Sequence, residues 1–268
     1  MIGRVLIVAG SDSGGGAGIQ ADIKTVTLLG GYAATAITAL TAQNTRGVAD
    51  VLPIPPAFVA RQMEVVLEDI GADCIKTGML HSAEVIEAVV RTLERKGRGI
   101  PVVVDPVMVA KGGAPLLSPE AVSAVKLRLI PSAALLTPNA PEAAVLTGVA
   151  VESVDDLGRA ADVLLALGAS AVLLKGGHLA GDTVVDLLRT ADGDEWRFES
   201  ERIQSRSTHG TGCTLASAIA AGIAEGLRLS DAVERARSYV LEAIRTAPGL
   251  GTGHGPLNHG HVLAPGEA

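Results

Sequence analysis

The sequence predicts an α/β protein with a mainly parallel central sheet covered by helices on both faces. Three observations predict it. Short β-branched runs such as Val5-Leu6-Ile7-Val8 alternate with longer Ala- and Leu-rich segments, the strand–loop–helix rhythm of a parallel sheet. Several of these runs are apolar throughout, as strands buried on both faces are. Polar and glycine-rich residues gather just after them, where open α/β sheets bind ligands.

The elements follow in order. Val5–Val8 reads as a buried strand, followed by a glycine loop and a helix from about Ala17 to Leu29. Thr35–Leu40 reads as a second strand, and Val48–Ile54 as a short edge strand punctuated by Pro53, Pro55 and Pro56. A helix covers about Ala57–Ile70, Cys74–Thr77 is a strand ending at Gly78, and Ala83–Lys96 is a helix with Ser82 as its N-cap. Pro101–Val104 is a strand ending at Asp105, Ala134–Leu136 one ending at Thr137-Pro138-Asn139, and Ala171–Leu174 one ending at Lys175-Gly176-Gly177. Thr183–Leu188 and Glu195–Glu199 form a hairpin-like pair around Ala191–Asp194, and helices of about Gly212–Glu225 and Asp231–Arg245 follow.

A length of 268 residues fits one large α/β domain or two small ones, and with no Pro-, Ser- or charge-rich linker and no internal repeat we expect a single domain over 1–268. Hydrophobic residues make up 48% and aromatics only 2%, so Ala, Val, Leu and Ile must fill the core. The 32 glycines and 13 prolines point to tight loops. A net charge of −7 argues against a general nucleic-acid binder, and no Lys or Arg run suggests a membrane-surface patch. No apolar stretch reaches membrane-spanning length, and Met1–Gly10 is too short an apolar run for a signal peptide. Cys74 and Cys213 cannot build a disulfide framework and fit a reducing compartment. The expectation is a soluble cytoplasmic protein.

The chemistry gathers first at Thr208-His209-Gly210-Thr211-Gly212-Cys213, which runs into a helix of small residues. Glycines and a threonine at a helix start give exposed N–H groups and a positive dipole end, an arrangement that binds phosphates. Cys213 falls in the first helical turn, where a thiol loses its proton most easily. A glycine loop around a buried cysteine is the competing reading, at equal weight on this segment alone. The loop Ala9–Gly18 after the first strand carries Gly14, Gly15 and Gly16, yet Ile19 stands where a dinucleotide fingerprint needs its third glycine, and the Lys-Ser/Thr pair of a P-loop is absent. Either backbone approaches a flat ligand there or the glycines serve a tight turn.

Asn139 and Glu142 stand three apart at a helix start. They could order water around Mg²⁺, but a capping box has the stronger sequence signature. Asp105 is a strand-end carboxylate, suited to magnesium or water, or to a surface turn. Lys175 ends another strand and can neutralise phosphate as a point charge. Lys111-Gly112-Gly113 reads as a lid with glycine hinges. The Gln43 amide, read as following the second strand, can donate and accept together, which suits a heterocycle edge. Met79 would cap a flat ring or fill the core. His254, His259 and His261 have no accompanying Cys pair and do not form a zinc site. His209 shapes its loop and receives no catalytic role, and Cys74 reads as a buried hydrophobe.

Taken together, these stretches resemble the hydroxymethylpyrimidine/phosphomethylpyrimidine kinase family. The resemblance is carried by Ala9–Asp12 with Gly15–Asp22, Ala42–Thr45, Gly78–Leu80, Asp105–Met108, Thr137-Pro138-Asn139 with Glu142, Leu174–His178, Thr208–Thr214 and Gly253–His259, in family order over essentially the whole chain. It implies a ribokinase-like three-layer sandwich, the use of ATP and Mg²⁺, and phosphorylation of 4-amino-5-hydroxymethyl-2-methylpyrimidine and then its monophosphate in thiamine biosynthesis. By motif, Gln43 would bind the pyrimidine edge, and Met79, Ala17, Asp22, Gly10 and Val107 would line its pocket. Lys175 and Thr208 would meet the nucleotide, Asn139 and Glu142 would organise magnesium through water, and Asp105 would support that metal. Gly210, Thr211 and Gly212 would form the anion hole and Cys213 would be the base. The resemblance also implies a homodimer.

Ser13 stands where the family commonly has Pro, and Gly112-Gly113 where it often has Ser-Gly; neither removes a chemical group. Wider ribokinase-like sugar kinases usually carry Asp in place of Cys213, which favours the pyrimidine and pyridoxal branch. A pyridoxal kinase of the same fold is the nearest alternative. A non-catalytic nucleotide-binding module is disfavoured by the Asn139, Glu142, Lys175 and Cys213 set, and a thiol redox protein by the missing C-x-x-C pair.

Overall fold

The computed structural model describes residues 2–108 and 117–263, so the proposed lid at Lys111–Gly113 lies outside the described residues. A single nine-stranded sheet organises the chain, in the order β3-β2-β1-β4-β5-β6-β7-β8-β9. Its strands are β1 (Arg4–Asp12), β2 (Tyr32–Asn44), β3 (Gly47–Pro53), β4 (Cys74–Thr77), β5 (Val102–Val104), β6 (Leu135–Leu136), β7 (Ala171–Leu174), β8 (Thr183–Thr190) and β9 (Glu195–Glu201). The neighbours from β2 through β7 are parallel, while β3, β8 and β9 are added antiparallel at the two edges. The helices are α1 (Gly18–Leu28), α2 (Pro56–Asp69), α3 (Ala83–Lys96), α4 (Pro119–Ala124), α5 (Ala140–Thr147), α6 (Val154–Ala166), α7 (Thr211–Ala224) and α8 (Leu229–Arg245).

Side-chain alternation along the central strands separates two apolar cores. In β1, Leu6 and Val8 face the core that takes Val59, Met63, Ile86 and Leu157 from α2, α3 and α6. Val5, Ile7 and Ala9 face the other, with Ile19, Leu215, Ile219 and Val240 from α1, α7 and α8. The same division recurs at Val103 against Val102 and Val104, and at Leu173 against Val172 and Leu174. This is the three-layer arrangement expected, and its parallel strands need apolar residues on both faces. Helix α7 is buried continuously from Thr214 to Gly222, which its small side chains permit.

Three local differences from the sequence reading have physical causes. Strand β2 runs on past Leu40, so Gln43 and Asn44 belong to the strand rather than to a loop after it; antiparallel pairing from Ala39↔Pro53 to Asn44↔Gly47 supports the extension. Helix α6 is absent from the sequence reading. Its Ser153–Asp156 capping box starts it, and Gly158, a weak helix former, is kept in its interior where Arg189 donates to the Gly158 carbonyl at 3.0 Å. Helix α4, also absent from the sequence reading, continues into a π-turn at Val125–Leu129, with Ala121, Val125 and Leu129 buried at four-residue spacing.

The chain places β2 on one side of β1 and β4 on the other. Such a reversal opens a crevice outside the carboxyl ends of the strands. The glycine loop after β1, Met79 after β4 and Asp105 after β5 all lie at those ends.

Candidate active site

The glycine loop is organised by one carboxylate. Asp12, only 2% exposed, accepts hydrogen bonds from the amides of Gly14 at 2.8 Å, Gly16 at 3.1 Å and Ala17 at 2.8 Å. Its Oδ2 also lies 2.8 Å from His209 Nε2. Burial alone would raise its pKa, but His209 and the amides outweigh that and hold the carboxyl below its ordinary range. Gly18, at φ +55, could not carry a side chain, since a Cβ would meet the Gly10 carbonyl at 2.4 Å.

This loop packs against the start of α7. Gly210 takes φ +84 as the helix N-cap, and a Cβ there would sit 1.8 Å from the Gly16 carbonyl. Thr211 Oγ1 donates to the Thr208 carbonyl at 2.8 Å, closing the turn. Of the first-turn amides of α7, that of Thr211 donates back to the Thr208 carbonyl at 3.4 Å, while those of Gly212 and Cys213 have no i−4 partner within the helix and remain available as donors. A segment after α8 braces the turn from behind: His209 N donates to the Gly255 carbonyl at 3.1 Å, and His259 Nε2 lies 3.0 Å from Thr214 Oγ1.

Cys213 corrects one expectation. Burial, the largest effect, pushes its thiol up to about 12, and the carboxylates of Asp22 and Asp105 push the same way. Lys76 and a hydrogen bond from the Gly18 amide favour the thiolate but do not overcome burial. The first turn of a helix therefore does not make this thiol an easy acid. Cys74 does fit its reading: it is fully buried in β4 and also pushed up to about 12.

Asp22 does not face an open pocket. It is fully buried on α1, where both its oxygens accept from Lys76 Nζ at 2.9 Å and Oδ1 accepts from Ser217 Oγ at 2.7 Å. Ser217 lies one turn beyond Cys213 on α7, so this ion pair forms a floor beneath the thiol. Burial is the largest influence on each partner. It raises the pKa of Asp22, whereas for Lys76 the nearby anions outweigh it and the ammonium is stabilised.

On the other side of the α7 start, Lys175 Nζ meets Asp105 Oδ1 at 3.0 Å and Glu142 Oε2 at 4.0 Å. Burial opposes the Lys175 charge, but the two carboxylates outweigh it and raise its pKa. A Cβ on Gly212 would lie 3.3 Å from Lys175 Nζ, so the glycine keeps lysine and helix start in contact. Thr137 Oγ1 donates to Asp105 at 3.2 Å. Asn139 and Glu142 form the capping box: Asn139 N donates to Glu142 Oε2 and Glu142 N to Asn139 Oδ1, both at 2.9 Å. Burial raises the Glu142 pKa. No group of three or more His, Cys, Asp or Glu side chains is arranged for a metal among the described residues. These oxygen donors still fit Mg²⁺, which keeps several waters and takes phosphate oxygens alongside one or two carboxylates.

Met79 lies directly on Gly10: a Cβ at Gly10 would meet the methionine Cε at 2.5 Å, and Gly10 N donates to the Met79 carbonyl at 3.1 Å. Half-buried Val107 follows Asp105-Pro106. Gln43 Nε2 lies 3.2 Å from His209 Nε2 and its Oε1 3.3 Å from Thr41 Oγ1. The structure thus gathers Gly10, Ala17, Gln43, His209 and Gly210 on one side and Asp105, Asn139, Glu142, Lys175 and Gly212 on the other, with Cys213 on the helix start between. Lys76 and Ser217 escaped the sequence reading. A lysine inside the apolar run Cys74–Thr77 was the available signal for the first.

The chain is similar to known proteins in sequence and in fold. A phosphomethylpyrimidine kinase family model matches residues 12–258. A thiamine biosynthesis bifunctional protein of Geobacter sulfurreducens is 57% identical over 96% of this chain, which spans about half (52%) of that protein's length. A hydroxymethylpyrimidine/phosphomethylpyrimidine kinase of Streptomyces coelicolor is 50% identical, covering 97% of this chain and 95% of the relative. Among solved structures, a phosphomethylpyrimidine kinase from Clostridium difficile superimposes with a TM-score of 0.80 at 41% identity, covering 91% of this chain and 100% of its own. An ADP complex of Bacillus subtilis pyridoxal kinase gives 0.88 at 36% identity, with 97% and 98% covered.

Proposed function

This chain belongs to the phosphomethylpyrimidine kinase family, and on that premise we propose that it phosphorylates 4-amino-5-hydroxymethyl-2-methylpyrimidine and then its monophosphate, using ATP and Mg²⁺, in thiamine biosynthesis. The observation that carries this reading is the meeting of the glycine loop 14–18 with the start of α7, where Gly16 packs against Gly210; it supports a glutamine that reads the heterocycle and a helix end that meets phosphate.

The substrate hydroxyl oxygen attacks the γ-phosphorus, the bond to the β–γ bridging oxygen breaks, and ADP departs. Gly210, Thr211 and Gly212 offer backbone donors to the transferring group, and Lys175 and Thr208 meet the nucleotide. Mg²⁺, when bound, neutralises phosphate charge; Asp105, Asn139 and Glu142 would hold it largely through water. Gln43 orients the ring between Met79, Val107, Gly10 and Ala17, while Asp22 acts from below through Lys76. The Cys213 thiolate receives the hydroxyl proton. A thiol held near 12 rests protonated, so the thiolate must form before the proton is taken, and positioning supplies the rest of the acceleration of loose phosphoryl transfer.

No helix among the described residues is long and apolar enough to cross a membrane. We assign the protein to the cytoplasm, acting as a homodimer on small molecules without nucleic-acid or membrane partners. Pyridoxal phosphorylation is the second reading, favoured by the likeness to pyridoxal kinase structures at 35–36% identity. The test is ATP- and Mg²⁺-dependent turnover of hydroxymethylpyrimidine beside pyridoxal, with products resolved. A pyrimidine diphosphate supports the first reading, and dominant pyridoxal 5′-phosphate replaces it with the second.

A further inference from the structure

Strand β7 stops pairing with β8 at Leu174↔Leu187, just before Lys175. The chain then leaves the sheet in a tight turn at Gly176–His178. A side chain takes over where the ladder ends: Gly176 N donates to Asp186 Oδ1 at 2.8 Å. Asp186 lies on β8, and its Oδ2 accepts from Arg237 Nε of α8 at 2.7 Å. Arg237 is itself oriented by β9, with its guanidinium 5.6 Å from the Phe198 ring centre and Nη2 3.4 Å from Ser200 Oγ. Each side chain of this ion pair is only 10% exposed. A buried ion pair often stabilises a fold no better than apolar residues of the same volume. Its placement points instead to orientation. It grips the peptide that follows Lys175, while Lys175 N donates to the Pro138 carbonyl at 3.0 Å. The lysine is thereby held from both sides, with its ammonium against the start of α7 at Gly212.

We propose that Asp186, oriented by Arg237, is a positioning residue for the nucleotide. By fixing the Lys175–Gly176 peptide it keeps Lys175 Nζ beside Asp105 and Glu142, where the ammonium meets a phosphate brought to the helix start. A lysine is a point charge on a flexible stem, so the backbone beneath it decides where that charge rests. The grip is local. Arg202 donates to the carbonyls of Gly177, Leu179 and Gly181 and holds the outer part of the same loop independently. The glycine loop and Gln43 lie on the other side of the α7 start, so the effect falls on the nucleotide and not on the heterocycle. The nucleotide half of this inference rests on the function proposed above; the grip on Gly176 does not.

Two experiments on the full chain separate these halves. Asp186→Leu combined with Arg237→Met removes both charges together, so neither is left buried without its partner and the fold is retained. Without ligand, solvent exchange of the Gly176 amide, followed by NMR, should be about tenfold faster in this double variant, as the loss of one hydrogen bond implies. An unchanged exchange rate overturns the grip. The Kd for ATP with Mg²⁺, read by titration calorimetry, should rise about tenfold, the size of one hydrogen bond to a charged group. KM for hydroxymethylpyrimidine should stay at the value of the unaltered chain. Asp186→Asn combined with Arg237→Met returns an acceptor to the Gly176 amide and should recover much of the ATP affinity. Unchanged ATP affinity, equal losses for ATP and pyrimidine, or no recovery by Asn overturns the positioning role and leaves the pair a brace between α8 and the sheet. Should the unaltered protein phosphorylate neither heterocycle, the functional reading fails and the Gly176 exchange still decides the grip.

Discussion

At the scale of single residues, the site is a problem of charge beneath a thiol. Cys213 sits above the Lys76–Asp22 pair, whose charges act on it in opposite senses. Removing each charge should therefore shift the thiol in opposite directions. Lys76→Met should raise the pH needed for alkylation of Cys213 by iodoacetamide, and Asp22→Asn should lower it, followed as capture rate against pH with the adduct mapped to Cys213. Loosened packing would change both variants the same way, so shifts of one sign would refute the electrostatic account. Cys213→Ala should lose most turnover while still binding ATP, read by titration calorimetry beside steady-state rates; near-normal turnover would remove the thiol from the proton-accepting role. Lys175 and the glycines were legible because they follow apolar strands, Gln43 because it lies at the end of β2, and Cys213 because it opens a helix of small residues after Gly210-Thr211-Gly212. The sequence could not expose the height of the thiol's pKa. That depends on Asp22 and Asp105, 191 and 108 positions away in the chain (213 − 22 and 213 − 105), and on the packing around the sulfur.

At the scale of elements, the segment after α8 is a strap holding the start of α7. His259 is 5% exposed, faces Thr214 Oγ1 at 3.0 Å, and its carbonyl accepts from Tyr239 Oη at 2.6 Å. Burial, with smaller help from the positive charge of Lys24 and from His261, lowers its pKa from 6.5 to about 4. The sign follows from linkage. The unfolded chain binds this proton more readily, so the neutral ring's contribution is complete above pH 6.5 and is lost as pH falls through about 4. The loss should approach about 3 kcal/mol. Urea midpoints at pH 7, 5.5 and 4.5 should fall less steeply for His259→Gln than for the unaltered chain; parallel declines would mean that His259 does not carry the effect. In the sequence the tail was legible only as motif. Gly253–His259 resembled the family, but three histidines among glycines gave no sign that one of them docks on a helix more than 40 residues earlier.

At the scale of the molecule, one sheet serves two cores, which explains both what was legible and how the protein should unfold. The central strands were readable because burial on both faces makes them apolar throughout, as in Val5–Val8 and Val102–Val104. The extension of β2 and the existence of α6 were not. The first is stabilised by hairpin pairing with β3, which begins after only Thr45 and Arg46, and the second by Arg189 from β8, 31 positions beyond Gly158. Strands β1, β4, β5, β6 and β7 send alternate side chains into the two cores, so neither core can lose its order without stripping one face of the same strands. The chain should then unfold as one unit. Met63→Ala opens a cavity in the α2 and α3 core, and Ile219→Ala opens one in the α7 core; each site is fully buried. Each should lower stability by about 2–5 kcal/mol, as large-to-small changes in packed interiors do. Each should also move the same single calorimetric transition. If only part of the heat moved in each variant and two transitions separated, the faces would be independent units, and the crevice between their loops would be a hinge rather than one preorganised site.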